Sequence, residues 1–286
     1  MNTQCYVCYL QRNVELARSL GDEKTANAFA KEIMALYLSA PEGVSAPWFG
    51  PAVNKLLKKY YNIDEDRFRK EKEDSNRFVM ERMEQIRSLA QSAPDPVYAA
   101  LQYAILGNYI DFAALRGEVS FDTLEDMLQK SRELPLDETV YQQFLADLEA
   151  GKNLLYLTDN AGEIGFDRIL AEELKNRFPH LNITFCVRGG PAQNDATRED
   201  AAAVGIAFPV IDNGTAIAGT QLDLLGEEAR QAMNTADVIL SKGQGNAETL
   251  LGCGYNIYYA FLIKCPRFVQ MFGKEKLTPM LIRERT

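Results

Sequence analysis

Acids, amides, cations and glycines recur just past short apolar runs in the second half of this sequence. The run Leu154-Leu155-Tyr156-Leu157-Thr158 leads straight into Asp159 and Asn160, then Ala161-Gly162-Glu163. A second run ends in Arg188-Gly189-Gly190-Pro191 with Asn194-Asp195 close behind; two later runs end in Lys242-Gly243-Gln244-Gly245-Asn246 and in Lys264. Asp159, Asn160 and Asp195 can supply oxygen ligands to a Mg²⁺- or Mn²⁺-like ion, while Arg188, Lys242 and Lys264 can neutralise phosphate oxygens. Gly189, Gly190, Gly243 and Gly245 let backbone N–H groups approach those oxygens, and a helix beginning near Asn246 offers its positive end. Together these parts suit metal-assisted phosphoryl chemistry.

Each part also has a purely structural use. Asn160 can cap the following helix with Glu163 as its capping-box partner, and Asn194-Asp195-Ala196-Thr197 with Asp200 can simply start another helix. The Lys242 turn lacks the Gly-Lys-Ser/Thr ending of a P-loop and can be an ordinary strand-to-helix connection. Arg188 and Lys264 can be solvated strand ends.

Elsewhere, Asn108 and Asp111 lie three apart in an otherwise apolar helix. A buried amide and carboxylate need partners, which favours a helix face turned toward the site. Lys72 and Asn76, one turn apart on a charged helix, can reach over a substrate or remain on a solvated face. Cys5 and Cys8 have a metal or redox spacing with no second pair nearby, and a structural thiol pair packed against the other domain is the simpler expectation. His180 is the only histidine. It sits in an Arg-Phe-Pro-His-Leu turn and reads as exposed, so histidine-based triads and zinc sites lose weight. Trp48-Phe49 can line an entrance or pack between domains.

The elements that must position these groups divide at residue 150. Residues 1–150 read as helical, with apolar periodicity over Asn13–Leu20, Thr25–Leu38 and Asp64–Gln91, then a buried helix from Val97 and two more over Ser120–Lys130 and Asp137–Glu149. From 151 to 286 the rhythm is strand, turn, helix, with strands expected at Leu154–Thr158, Ile183–Val187, Ala207–Ile211, Val238–Ser241 and Ile257–Ile263. That alternation predicts a Rossmann-like three-layer α/β/α domain with a predominantly parallel sheet, behind a helical N-terminal cap.

Composition narrows the function. In 286 residues, 47% hydrophobic and 25% charged, a net charge of −9 argues against a nucleic-acid partner, which needs a basic surface. Five widely spaced cysteines do not make a disulfide framework, no signal-peptide pattern opens the sequence, and the longest apolar stretch is too short to span a bilayer. The expectation is a cytoplasmic protein with no membrane partner.

The run Leu157-Thr158-Asp159-Asn160-Ala161-Gly162-Glu163, then Arg188-Gly189-Gly190-Pro191 with Asn194-Asp195-Ala196-Thr197, Ser241 to Asn246, and Lys264-Cys265-Pro266, resembles the metal-dependent damage-control phosphatases, also called domain of unknown function 89. Cys5-x-x-Cys8 and Gly107-Asn108-x-x-Asp111 resemble the microbial branch. The resemblance implies a divalent metal, Mn²⁺, Co²⁺, Ni²⁺ or Mg²⁺, held by Asp159, Asn160 and Asp195. It also implies hydrolysis of small phosphorylated metabolites such as sugar phosphates, with Lys242 and its glycine turn holding phosphate. Arg188 stands where the family often has lysine, which exchanges a point charge for a planar fork. The residues expected at the chemistry are Asp159, Asn160 and Lys242; those expected on the substrate are Arg188, Gly189, Gly243, Asn246, Lys264, Asn108 and Asp111. Two other functions fit the frame: S-adenosylmethionine-dependent methyl transfer, against which the missing Gly-x-Gly turn counts, and non-catalytic binding of metal and phosphometabolite.

Overall fold

The computed structural model describes residues 1–114, 128 and 134–284, the side chains of 109–114 excepted. Six strands form one sheet: β1 Asn153–Leu157, β2 Asn182–Val187, β3 Val210–Asp212, β4 Val238–Lys242, β5 Ile257–Leu262 and β6 Pro279–Arg283. Their order is β3-β2-β1-β4-β5-β6. The first five are parallel, and β6 runs antiparallel to β5 along the edge. The α/β fold with a mostly parallel sheet matches the expectation; β6 is the strand that the sequence pattern did not reveal.

Alternation along β1 explains why its run is apolar throughout. Leu154 and Tyr156 enter the core on one face of the sheet, Leu155 and Leu157 the core on the other, so both faces are covered. The second face is packed by α10 (Glu227–Thr235), α11 (Gly243–Leu250) and α12 (Pro266–Phe272), through Met233, Leu250 and Phe268. The first face is packed by α6 (Pro96–Ala114), α7 (Glu138–Ala150) and α8 (Glu163–Arg177), through Ile105, Phe144 and Ile169.

The apolar core therefore runs across residue 150. Val79 on α4 (Arg69–Met80) and Ile86 on α5 (Met83–Gln91) belong to the same cluster as Tyr156 and Leu240 in the sheet. Helices α1 (Thr3–Leu20), α2 (Glu23–Ser39) and α3 (Gly50–Tyr61) instead form a separate core around Phe29, Ile33, Phe49 and Leu57. Asn2 and Asp22 cap α1 and α2, each side chain accepting a first-turn N–H. The run expected as one helix over 64–91 breaks at Glu81-Arg82, and the helix expected over Ser120–Lys130 lies outside the described residues, Leu128 excepted. A short helix, α9 (Arg198–Ala203), follows β2, and its start carries the capping box expected of Thr197 and Asp200.

Two features of α6 position the site. Its sequence is apolar on every side, and Leu101, Tyr103, Ala104 and Ile105 are all buried, as a helix wedged between the sheet and α8 requires. At Gly107 an added β-carbon would stand 3.0 Å from the Phe166 ring and 3.3 Å from Glu163 Cγ. The bare backbone there lets α6 close onto α8 and sets Asn108 beside Glu163.

Candidate active site

In an open parallel sheet the crevice opens where neighbouring strands send their connections in opposite directions, and here that place lies between the carboxyl ends of β1 and β4. Asp159 and Asn160 follow β1, Arg188 follows β2, Lys242 ends β4 with Gly243 next, and Lys264 follows β5. The segment after β2 folds back over the crevice. Ala161 donates its N–H to Asn194 O (2.9 Å), Ala196 N–H to Asp159 O (2.7 Å) and Arg188 N–H to Ala196 O (2.9 Å). These bonds hold Asp195 against Asn160 in an antiparallel bridge.

The side chains converge tightly. Asp159 Oδ2 accepts from Asn108 Nδ2 at 2.6 Å and from Asn160 Nδ2 at 2.9 Å. Asp195 Oδ2 accepts from Arg188 Nε at 2.6 Å. Arg188 is 1% exposed, yet neither terminal nitrogen has a hydrogen-bond partner, and Nη2 stands 3.8 Å from Asp159 Oδ1. Asn108 Oδ1 is likewise buried without a partner. Lys264 Nζ donates to Asn108 O at 3.1 Å, on the same side as Asp159.

Burial, then the charges of Glu163 and Asp195, push the Asp159 carboxyl up to about 7 against the pull of Arg188 and Lys264. Burial likewise raises Asp195 to about 6, although Arg188 opposes it. A crowd of buried acids that resists ionisation is a place for added positive charge. Among the described residues no group of three or more His, Cys, Asp or Glu is arranged around a metal position. The donor set here is mixed instead: two carboxylates, the Asn160 amide and the unpartnered Asn108 oxygen. All are hard oxygen donors, and they fit an ion such as Mg²⁺ or Mn²⁺.

Several expected substrate contacts are used elsewhere. Lys242 is fully buried, and its three N–H bonds go to Ala104 O (2.8 Å), Glu163 Oε1 (2.7 Å) and Asp167 Oδ1 (2.7 Å), which leaves none for a phosphate. Burial works against that ammonium, but the two carboxylates more than offset it and hold its pKa above the ordinary lysine value. Asn246 gives both amide hydrogens to Thr158 O and Lys242 O and accepts from Thr220 Oγ1, so it ties strand ends together. The Gly189 N–H is taken by Thr215 O and Asn213 Oδ1. Gly243 does open α11 at the crevice, with no side-chain cap on the helix start. The Asp111 side chain lies outside the described residues.

Other expectations resolve locally. Asn160 is not the cap of α8, which begins after Gly162. Arg188 is not a solvated strand end. Lys72 and Asn76 are buried, and both bind Asp200, at 2.6 and 2.8 Å, while Asn76 also accepts the Gly162 N–H. That clamp fastens α4 across the turn after β1. Cys5 is half-buried with its sulfur 3.9 Å from Arg267 Nη1, Cys8 is exposed, and all five cysteines are free thiols. His180 is exposed, and Phe49 packs in the N-terminal core against Trp48.

The residues missed from the sequence are Glu163 as a member of the site, and Asp167 with Tyr156, whose hydroxyl donates to Asp167 Oδ1 at 2.8 Å. The signal was present: two acids one helical turn apart beside Ile164, Phe166, Ile169 and Leu170 must be buried, and buried acids need a cation.

Residues 1–278 match the model of the damage-control phosphatase ARMT1-like domain. An uncharacterized protein of Methanocaldococcus jannaschii is 32% identical over 285 residues, covering 94% of this chain and 91% of that protein. A damage-control phosphatase of Archaeoglobus fulgidus is 30% identical over 253 residues, covering 86% and 85%. The crystal structure of a DUF89 family protein from Pyrococcus horikoshii, 28% identical, superposes with a TM-score of 0.81 over 100% of this chain and 99% of that one. Among the described residues no helix is long and apolar enough to cross a membrane.

Proposed function

The chain belongs to the damage-control phosphatase ARMT1-like domain family, and from that premise we propose that it is a metal-dependent phosphatase that hydrolyses small phosphorylated metabolites such as sugar phosphates. One observation carries the proposal: the buried Arg188 fork, with neither terminal nitrogen hydrogen-bonded, lies against the oxygen donors Asp159 and Asp195 at the mouth of the sheet. A phosphate ester is the substrate class that needs both kinds of group at once. The five free thiols agree with action in the cytoplasm.

Asp159, Asn160 and Asp195 would hold the cation, which when bound polarises a phosphoryl oxygen and draws charge off it. Arg188 keeps its Nε on Asp195 and offers Nη1 and Nη2 to the remaining phosphoryl oxygens, fixed in place before substrate arrives. Lys264, anchored on the Asn108 carbonyl, adds a second positive charge from the β5 side. The first-turn N–H groups of α11, opened by Gly243, face the same crevice and suit an anion. With three N–H bonds committed inside the protein, Lys242 acts on this site through Glu163 and not by touching phosphate.

Asp159→Asn and Asp195→Asn test the assignment. Each should keep the far-ultraviolet spectrum of the parent while losing Mn²⁺ binding in calorimetry and phosphate release. Full activity in both would overturn the assignment.

A further inference from the structure

Glu163 is 1% exposed and reaches into both halves of the site. Its Oε1 accepts from Lys242 Nζ at 2.7 Å, and its Oε2 accepts from Asn108 Nδ2 at 2.7 Å and from Asn160 Nδ2 at 2.9 Å. Lys242 is in turn locked by Asp167 Oδ1 and Ala104 O, so the carboxylate is held from behind by a cation that has no alternative position. Nothing in the proposed chemistry requires an acid at this point.

The consequence lies in the two amides. Paired with the Lys242 ammonium, the Glu163 carboxylate has no hydrogen to give, so an amide that meets it must turn its NH₂ end toward it. Asn108 and Asn160 both do so, each bridging the same two carboxylates. Their oxygen ends are thereby turned away. Asn108 Oδ1 is buried without a partner, and the Asn160 amide gives its Nδ2 to the two carboxylates. A buried acceptor without a donor is unfavourable, and a cation relieves it.

Resting on the metal site proposed above, we propose that Glu163, clamped by Lys242, is a positioning residue that fixes the amide polarity of Asn160 and Asn108 and so keeps both Oδ1 atoms available as metal ligands. A glutamine at 163 removes that constraint, because its own NH₂ can face an amide oxygen and allow either side chain to turn over.

The test is Mn²⁺ titration calorimetry on the full chain. E163Q should bind Mn²⁺ about 10- to 100-fold more weakly than the wild type, the usual loss when a partner behind a metal ligand is removed. In an N160D background position 160 has no amide polarity to fix and only Asn108 still relies on Glu163, so E163Q should cost less affinity than it does in the wild type. E163D, shorter by one methylene, withdraws the acceptor while keeping the charge and should also weaken Mn²⁺ binding; it carries the test if E163Q does not fold. Wild-type affinity in folded E163Q or E163D, or an equal loss from E163Q in both backgrounds, would overturn the proposal. D195N separates the two levels. If wild type binds Mn²⁺, D195N does not and E163Q does so normally, only the role of Glu163 falls. If wild type binds no Mn²⁺, the metal site falls and this role with it.

Discussion

Gly243 and Asp159 fit together only because one of them has no side chain. Gly243 holds a left-handed φ of +78°, and a β-carbon added to it would fall inside the Asp159 carboxylate. The end of β4 thus sets how far the acid after β1 can swing. Gly243→Ala should cost about 1–3 kcal/mol in backbone strain and displace Asp159. Urea unfolding should therefore show a modest loss while phosphate release falls far more steeply. Retained turnover with only the stability loss would show that Asp159 tolerates displacement.

Arg188 should act on substrate binding through its fork. Arg188→Lys keeps the charge but cannot hold Asp195 and present two free nitrogens together. KM for a phosphate ester should rise at least about tenfold, equivalent to ~1.4 kcal/mol, with the chain still folded. An unchanged KM would remove Arg188 from the phosphate site.

For Lys242 the expected failure is structural. Lys242→Met leaves Glu163 and Asp167 buried without their cation, and breaking a buried pair in this way costs about 3–5 kcal/mol. Chemical denaturation should show that loss. A variant that kept its stability but lost affinity for phosphate esters would return Lys242 to the substrate contacts.

What could be read from the sequence was the frame and the acids. Four apolar runs marked β1, β2, β4 and β5 because each is largely buried on both faces, whereas the edge strands β3 and β6 are half-buried and gave weaker signals; the run expected at Ala207–Ile211 meets β3 only at Val210 and Ile211. Asp159, Asn160 and Asp195 stood out because strand ends in such a sheet meet at one edge. The fate of Lys242 could not be read there: a lysine after a strand looks the same whether it meets a phosphate or a buried Glu163, and only the packing of α6 on α8 decides. That the two terminal nitrogens of Arg188 are buried without hydrogen bonds is likewise a property of three dimensions.

The acids also predict how stability depends on pH in chelator. Burial raises Asp159 and Asp167 to about 7 and Asp195 to about 6, from 3.8 in the open chain. Between about pH 4 and 7 the folded state therefore holds protons that the unfolded state has released, and stability falls as pH rises through that window. Asp237, held low by the Lys152 and Asn153 N–H groups, acts oppositely, but only below the ordinary carboxylate range. The chelated protein should melt at a higher temperature at pH 5.5 than at pH 7.5, and saturating Mn²⁺ should shrink the gap. A Tm that rises across the window in chelator would contradict the clustering of these acids.

The central claim, metal-dependent hydrolysis of a phosphate ester, is tested most directly by phosphate release. Protein stripped with chelator would be offered an aryl phosphate and a panel of sugar phosphates, then given Mn²⁺, Co²⁺, Ni²⁺ or Mg²⁺ in turn. The account predicts no release in chelator and recovery with at least one metal. Release that persists undiminished in chelator, or no release with any metal, would contradict it.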